Sequence, residues 1–193
     1  MSNTAYNLDY EERYEIIEGV KNIMSPSPSW IHAEVDSTLV MIFKQYCREH
    51  KCGRVFGDNI DVHLPDEKNV FMPDVSVVCD DSLLKEGGAI YGAPDLVVEI
   101  LSPSTAKNDF TVKKDAYERN GVKEYWIVNH VDKSIQVYHL INGKFEMDHF
   151  YHVYTPGELA HLDDKQRAAV KYEIKVSIFD DLFVDVGDVF YGI

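Results

Sequence analysis

Cysteine and long apolar runs are both scarce in this sequence. The 193 residues contain three cysteines, Cys47, Cys52 and Cys79, with no CxxC pair. This set favours neither a disulfide framework nor a structural zinc site and is typical of a reducing compartment, and we expect Cys79, at the end of an apolar run, to be a core residue. No stretch approaches the roughly 20 apolar residues of a membrane span, and the acidic N-terminus lacks the features of a signal peptide. We therefore predict a cytoplasmic protein without a membrane partner.

Basic residues are also few. The chain has 19 Lys and Arg against 33 Asp and Glu, which gives a formal net charge of −14. A surface this negative repels phosphate backbones unless basic side chains gather locally, so a broadly electrostatic nucleic-acid binder is excluded. The stretch 107–123 is the one clearly net-positive segment. Within it, Lys107, Lys114 and Arg119 are the candidate contacts to nucleic acid.

Several common catalytic motifs are missing. The sequence contains no GxxxxGK[ST], GxGxxG or GxSxG motif, and its eight histidines form no HExxH pattern. These absences remove the common nucleotide-binding, serine-hydrolase and zinc-protease signatures. Any chemistry must come from side chains that the fold brings together.

The first third of the chain predicts a β-hairpin and then a helix. Two β-rich runs, 14–17 and 21–24, flank a Glu-Gly turn. Ser27 is the expected helix N-cap, Pro28 the first helical residue, and Gly53 lies just past the helix end. Apolar residues recur at spacings of four and three, which predicts one buried face: Ile31, Val35, Leu39, Ile42 and Tyr46.

The rest of the chain predicts strands around a second helix. The strands are 55–64, 74–79, 95–101, 124–129, 134–141, 145–154 and 172–176. Asn108 is a plausible cap for the second helix, which stops at Asn120-Gly121. The segment 177–183 is expected to form a single helical turn that packs two Phe side chains onto the body.

This order of elements predicts an α/β (α+β) fold. We expect one domain over 1–193, with a mobile segment 1–10 and a core over 11–185, built on one mixed sheet. No helix-sized crossover separates strands 74–79 and 95–101, so they should pair antiparallel.

Two acidic residues belong to these neighbouring strands. Glu99 interrupts the apolar run 95–101, where its charge needs a cation partner or its pKa must rise. Asp74 opens the other strand directly after a proline, and antiparallel pairing lets it converge with Glu99. Two such carboxylates suit a hard cation, Mg²⁺ or Mn²⁺. Asp95 also follows a proline, but four residues at roughly 3.3 Å each put it about 13 Å from Glu99, too far to share an ion.

The second helix supplies further polar groups. Asp109, Lys113 and Tyr117 are spaced at i, i+4 and i+8 and so share one helix face. A lysine on that face can orient an attacking water or stabilise charge on a phosphate, although this spacing also suits an ordinary surface ion pair. His32, at the start of the first helix, can face the same cleft or serve as a cap or surface residue.

Five segments, taken in order, resemble a known family. They are YEIIEGVKNIMSPSPSWIH, MPDVSVV, PDLVVEILSPST, NDFTVKKDAYERNGVKEYWIVN and SIFDDLF. From about Tyr14 to Phe183 the chain is similar to the Uma-two-type family of "putative restriction endonucleases", a branch of the PD-(D/E)XK nuclease superfamily. The resemblance implies a restriction-endonuclease-like core, a mixed central sheet flanked by helices. It also implies Mg²⁺ held by acids, with Mn²⁺ as a substitute, and phosphodiester hydrolysis by activated water.

The resemblance also implies roles for individual residues. The PD aspartate matches Asp74 and the acid of the (D/E)XK element matches Glu99, both as metal ligands. The lysine of that element is missing, because its position is occupied by Leu101. Lys113 in the KxxxY element is the matching replacement, with Lys114 and Lys107 as alternatives. His32, Asp109 and Tyr117 are expected to support these three groups.

Two functions of different classes follow. The first is a Mg²⁺-dependent endonuclease acting on DNA, expected as a homodimer or higher homo-oligomer because a small nuclease that cuts duplex DNA commonly needs two copies to reach both strands. The second is a catalytically weak or silent family member that acts as a protein-interaction or oligomerisation module through its sheet and aromatic tail. Hydrolysis of RNA or a nucleotide-like phosphodiester is a weaker option.

Overall fold

The structure, a computed structural model, describes residues 13–24 and 29–193. The helices are α1 (Trp30–His50), α2 (Ala106–Phe110), α3 (Val112–Asn120), α4 (Pro156–His161), α5 (Asp164–Ala168) and α6 (Val186–Val189). The strands are β1 (Tyr14–Ile17), β2 (Val20–Ile23), β3 (Arg54–Phe56), β4 (Val62–His63), β5 (Val70–Phe71), β6 (Val75–Val78), β7 (Ile90–Tyr91), β8 (Leu96–Ile100), β9 (Glu124–Asn129), β10 (Ser134–Ile141), β11 (Lys144–His152), β12 (Glu173–Lys175) and β13 (Phe183–Asp185).

A mixed six-stranded sheet forms the centre of the fold, in the order β11-β10-β9-β8-β6-β3. Strands β8 and β9 run parallel, whereas β6 and β8 pair antiparallel as the sequence predicts. The α+β class is therefore confirmed. The expectation of a single sheet is wrong, because the N-terminal hairpin joins a five-stranded sheet in the order β2-β1-β5-β4-β7 and β12 pairs with β13.

Helix α1 packs its buried face against the central sheet. Its N-cap is Ser29, whose hydroxyl accepts a hydrogen bond from the His32 N–H, rather than Ser27, which lies with Pro28 outside the described residues. The helix ends at Lys51 in the left-handed conformation, before Gly53. The buried apolar residues of α1 are spaced four apart and form one row along the helix: Val35, Leu39, Phe43 and Cys47. Ile31, Ile42 and Tyr46, which the sequence also assigns to this face, lie at the margin of the row and are only half-buried.

The predicted strand 55–64 is two strands in the structure. It divides into β3 and β4, because the chain turns at Gly57, whose carbonyl accepts a hydrogen bond from the Asn59 N–H. The two-residue strands β5 and β7 were not predicted, since two residues are too short to show an alternating pattern.

The predicted second helix is also divided. Helices α2 and α3 meet at Thr111, whose φ of −124° and ψ of −97° are not helical, so Asn108 lies within α2 and does not cap it. The Thr111 hydroxyl donates to the Lys107 carbonyl at 2.6 Å, which satisfies that carbonyl at the break. Gly121, in the left-handed conformation, ends α3 as predicted.

Three expectations for other segments have mixed outcomes. Strand β12 confirms the strand predicted over 172–176, but 177–183 is a turn that leads into β13 and forms no helical turn. Phe179 is buried there, whereas Phe183 is exposed. Cys79 is exposed and is not part of the core.

In the part of the chain that the structure describes, no helix is long and apolar enough to cross a membrane.

Candidate active site

A cavity of about 350 Å³ lies where β1, α1, β8 and α3 approach one another. Four of the residues singled out in the sequence line it: His32, Asp74, Glu99 and Lys113. Asp109 and Tyr117 are buried behind the wall and contact lining residues. The fold therefore brings together six predicted residues from four segments of the chain.

Asp74 is held at the cavity by the end of the neighbouring strand. Its Oδ2 accepts a hydrogen bond from the Ile100 N–H at 2.6 Å, and its Oδ1 lies 3.4 Å from His32 Nε2. The same His32 nitrogen lies 3.1 Å from the Ile100 carbonyl oxygen. Burial would lower the pKa of His32, but Asp74 and the carbonyl outweigh burial and raise it. Asp74 therefore favours the charged form of His32.

Glu99 is buried in the middle of the sheet and is paired with a cation. Its Oε1 lies 2.7 Å from Lys113 Nζ and accepts a 2.7 Å hydrogen bond from the Tyr117 hydroxyl. Burial raises the pKa of Glu99 well above its usual range, and the Lys113 ammonium offsets only part of that shift. Burial and the nearby Glu99 charge also raise the pKa of Tyr117, so the phenol remains a donor.

Lys113 contacts more acids than the sequence predicts. Its Nζ lies 3.0 Å from Glu15 Oε1 and 3.6 Å from Asp109 Oδ1, in addition to Glu99. Burial would lower the pKa of Lys113, but these acids raise it, so the amine stays protonated. Asp109 is itself buried, which raises its pKa to about 6. Lys113, and neither Lys114 nor Lys107, is thus the lysine beside Glu99.

Glu15 was missed in the sequence, although a signal was available. Like Glu99, it is a carboxylate inside a short apolar strand, and its side chain is 8% exposed. Arg13, Asp58 and His130 also line the cavity without any local pattern that marks them. Arg13 Nη1 lies 3.3 Å from Asp58 Oδ2.

The predicted nucleic-acid contacts lie outside the cavity lining. The Lys114 ammonium lies 3.7 Å from the centre of the Tyr138 ring, and Arg119 pairs with Glu18. Lys107 is exposed and follows the lining residue Thr105 by two positions.

Asp95 is engaged at the opposite end of β8. It lies 2.6 Å from Lys123 Nζ and accepts a hydrogen bond from the Cys79 N–H. It does not line the cavity, in agreement with the distance argument against it as a ligand.

Comparison with known proteins places this chain in a family. The sequence model of Uma2, described as "Putative restriction endonuclease", matches residues 4–164. The chain belongs to the Uma2 family. The "Uncharacterized protein slr1290" of Synechocystis is 30% identical over 129 residues, which are 66% of each protein, so the match spans just under two thirds of that relative.

A solved structure shares the fold of this Uma2 chain. It is the crystal structure of a "putative nuclease belonging to DUF820" from Anabaena variabilis. The TM-score is 0.65 at 20% identity, with 93% of this chain and 90% of that chain covered. The mixed α+β architecture is therefore common to both proteins.

The donor set of the cavity fits the hard cation that the Uma2 resemblance implies. Four acids, Glu15, Asp58, Asp74 and Glu99, line the cavity against the two bases Arg13 and Lys113, apart from the histidines. Among residues 13–24 and 29–193, no three His, Cys, Asp or Glu side chains group as a metal site. Mg²⁺ generally takes one or two carboxylates and completes its shell with water and substrate oxygens, so it does not require such a group. Asp74 and Glu99 would hold it.

Proposed function

We propose that this Uma2 protein is a Mg²⁺-dependent endonuclease that hydrolyses DNA phosphodiester bonds. One observation carries the proposal: Asp74 and Glu99 line the same cavity, with the Lys113 ammonium 2.7 Å from Glu99. A pair of hard oxygen ligands with an adjacent buried cation is the combination that phosphoryl transfer requires. Membership of a family described as "Putative restriction endonuclease" supports the same activity.

In this proposal, different residues orient the two carboxylates. Asp74 is oriented by the Ile100 N–H and His32, and Glu99 by Tyr117 and Lys113. Mg²⁺ bound to them would polarise a phosphate oxygen and lower the pKa of a bound water. Because their partners fix the two side chains before substrate arrives, little reorganisation is needed on binding.

Lys113 acts as a hydrogen-bond donor and not as a base. Its raised pKa keeps the ammonium protonated. A protonated amine cannot accept a proton from water, but it can orient a water through donated hydrogen bonds and stabilise negative charge on the phosphate. His32 and Tyr117 serve as positioning residues for Asp74 and Glu99, and Asp109 serves the same role for Lys113.

The substrate and assembly belong to the same proposal. DNA reaches the cavity past Lys107 and Arg13. Lys114 and Arg119 on α3 lie outside this path, because Lys114 contacts the Tyr138 ring and Arg119 pairs with Glu18. The net charge of −14 opposes binding, so the complex should be weak without metal. A homodimer supplies one site for each strand of a duplex.

The deciding experiment uses the two Pro-Asp aspartates as a matched pair. Purified wild type, Asp74→Asn and Asp95→Asn are each incubated with supercoiled plasmid, once with millimolar Mg²⁺ and once with EDTA. We expect nicking by wild type and Asp95→Asn with Mg²⁺ only, and none by Asp74→Asn. Equal cleavage by wild type and Asp74→Asn would sink the proposal. A wild type that binds no Mg²⁺ favours the alternative of a protein-interaction module.

A further inference from the structure

Glu15 joins the N-terminal hairpin to the candidate site. Its Oε1 accepts a 3.0 Å hydrogen bond from the Met72 N–H and lies 3.0 Å from Lys113 Nζ. Glu15 is on β1, and Met72 directly follows β5, which pairs with β1. The carboxylate is therefore fixed to its own sheet while it contacts the lysine on α3.

Lys113 lies between two carboxylates at similar distances. Its Nζ is 2.7 Å from Glu99 Oε1 and 3.0 Å from Glu15 Oε1. Without Glu15, the ammonium would keep Glu99 at 2.7 Å and Asp109 at 3.6 Å, and its positive charge would oppose a second cation at Glu99. The Glu15 carboxylate at 3.0 Å offsets part of that positive charge and accepts one of the ammonium's donors.

We propose that Glu15 is a positioning residue: it holds the Lys113 ammonium between two carboxylates, so that Glu99 remains available to a divalent cation. This inference rests on the proposed function and adds to it a role for the N-terminal hairpin. The hairpin becomes a wall of the site, and its acid sets how strongly the site binds metal.

Two conservative variants distinguish a role of the Glu15 charge from a purely structural role of its hydrogen bond to Met72. Glu15→Gln keeps an oxygen that can accept the Met72 N–H but removes the charge opposite Lys113. Glu15→Asp keeps the charge but shortens the side chain by one methylene and weakens the Met72 contact. If the charge matters, Glu15→Asp binds metal better than Glu15→Gln. If only the hydrogen bond to Met72 matters, the order is reversed.

The exposed pair Glu18–Arg119 provides a matched control. Like Glu15 and Lys113, these residues connect the hairpin segment to α3 through a carboxylate and a cation. Their side chains are 46% and 49% exposed, and neither lines the cavity. Glu18→Gln therefore removes the same charge from the same hairpin without changing the surroundings of Lys113.

The experiment measures Mn²⁺ binding directly, by electron paramagnetic resonance or calorimetry, on folded full-length protein without DNA. We expect Glu15→Gln to weaken Mn²⁺ binding about tenfold, as loss of a partner of a metal ligand generally does, with Glu15→Asp and Glu18→Gln within about threefold of wild type. Glu15→Gln binding as wild type does, or better than Glu15→Asp, overturns the inference.

Two further outcomes are informative. If Glu15→Gln does not fold, as judged by circular dichroism, Glu15→Asp alone decides: binding within about threefold of wild type supports the role of the charge, and any greater loss contradicts it. A wild type that binds no Mn²⁺ refutes the proposed function itself, whereas normal wild-type binding with no effect of Glu15→Gln refutes only this inference.

Discussion

The ammonium of Lys113 lies 3.0 Å from the carboxylate of Glu15, although 98 residues separate the two in sequence. The same ammonium lies 2.7 Å from Glu99. One buried charge thus links the hairpin, the central sheet and helix α3. Because the three elements meet at this nitrogen, changes to Lys113 should affect both stability and activity.

Replacing Lys113 with Met should leave Glu15, Glu99 and Asp109 buried without their cation. We expect a loss of about 3–5 kcal/mol in the free energy of unfolding, since removing one partner strands the other charges. DNA cleavage should fall about 100-fold, the usual effect of losing a donor to developing charge. Urea unfolding and plasmid nicking at a temperature where the variant is folded measure the two effects.

The neighbouring Lys114→Met variant is the control for Lys113→Met. Lys114 contacts the Tyr138 ring outside the cavity, so its loss should cost no more than about 1 kcal/mol and leave cleavage unchanged. Equal cleavage rates for wild type and folded Lys113→Met would contradict the role assigned to Lys113.

Tyr117→Phe should remove a hydrogen bond that orients Glu99. The hydroxyl donates to a buried carboxylate, so its loss should cost about 1.5–3 kcal/mol and lower the cleavage rate about tenfold. Tyr125→Phe is the matched control, because the Tyr125 hydroxyl donates to an uncharged acceptor, the main-chain carbonyl oxygen of Asp109, at 3.0 Å. Comparable cleavage by the two folded variants would argue against a role for Tyr117 in positioning Glu99.

Lys107→Gln should weaken DNA binding more than Arg119→Gln does. Lys107 is exposed two residues after the lining residue Thr105, whereas Arg119 already pairs with Glu18, which reduces its attraction for phosphate. The slope of log affinity against log salt is negative, and each lost phosphate contact reduces its magnitude by about 0.9. Fluorescence anisotropy over a salt series, with Ca²⁺ in place of Mg²⁺ to prevent cleavage, measures this slope. An unchanged slope for Lys107→Gln would remove Lys107 from the DNA path.

Asp66 should make stability depend on pH. Burial would raise the pKa of Asp66, but hydrogen bonds from Asn120 and from the Lys68 and Asn69 N–H groups outweigh burial and lower it. An acid with a lowered folded pKa stabilises the fold above its unfolded pKa of about 3.9, and this stabilisation is lost as pH falls through the folded value. We therefore expect Asp66→Asn to destabilise the protein at pH 7 and progressively less at lower pH.

The expected size of this effect follows from the donors around Asp66. Asn69 Nδ2 and Asn120 Nδ2 both donate to Oδ2, at 2.7 and 2.8 Å, and an amide NH₂ group at that position cannot accept them. The loss should be about 2 kcal/mol at pH 7 by urea unfolding, against almost none for the exposed neighbour Glu67→Gln. A cost for Asp66→Asn that is independent of pH would contradict the assigned charge.

Local patterns were sufficient for the parts of the site that lie within one element or between adjacent strands. Spacings of four placed Asp109, Lys113 and Tyr117 on one face, because 3.6 residues form a turn, and this relation survived the break at Thr111. The short connection between β6 and β8 predicted their antiparallel pairing.

Some features of this protein follow from the sequence alone, and others depend on contacts between distant segments. The sequence by itself determined the α+β class, the placement of Asp74 and Glu99 at one cavity and the helix face of Lys113, since each depends on backbone periodicity or strand connection. Only the tertiary structure decided that Glu15 contacts Lys113, that Arg13 lines the cavity and that Lys114 faces away from it. These contacts depend on how separate sheets and helices pack, and packing is set by the whole set of buried side chains rather than by any one segment.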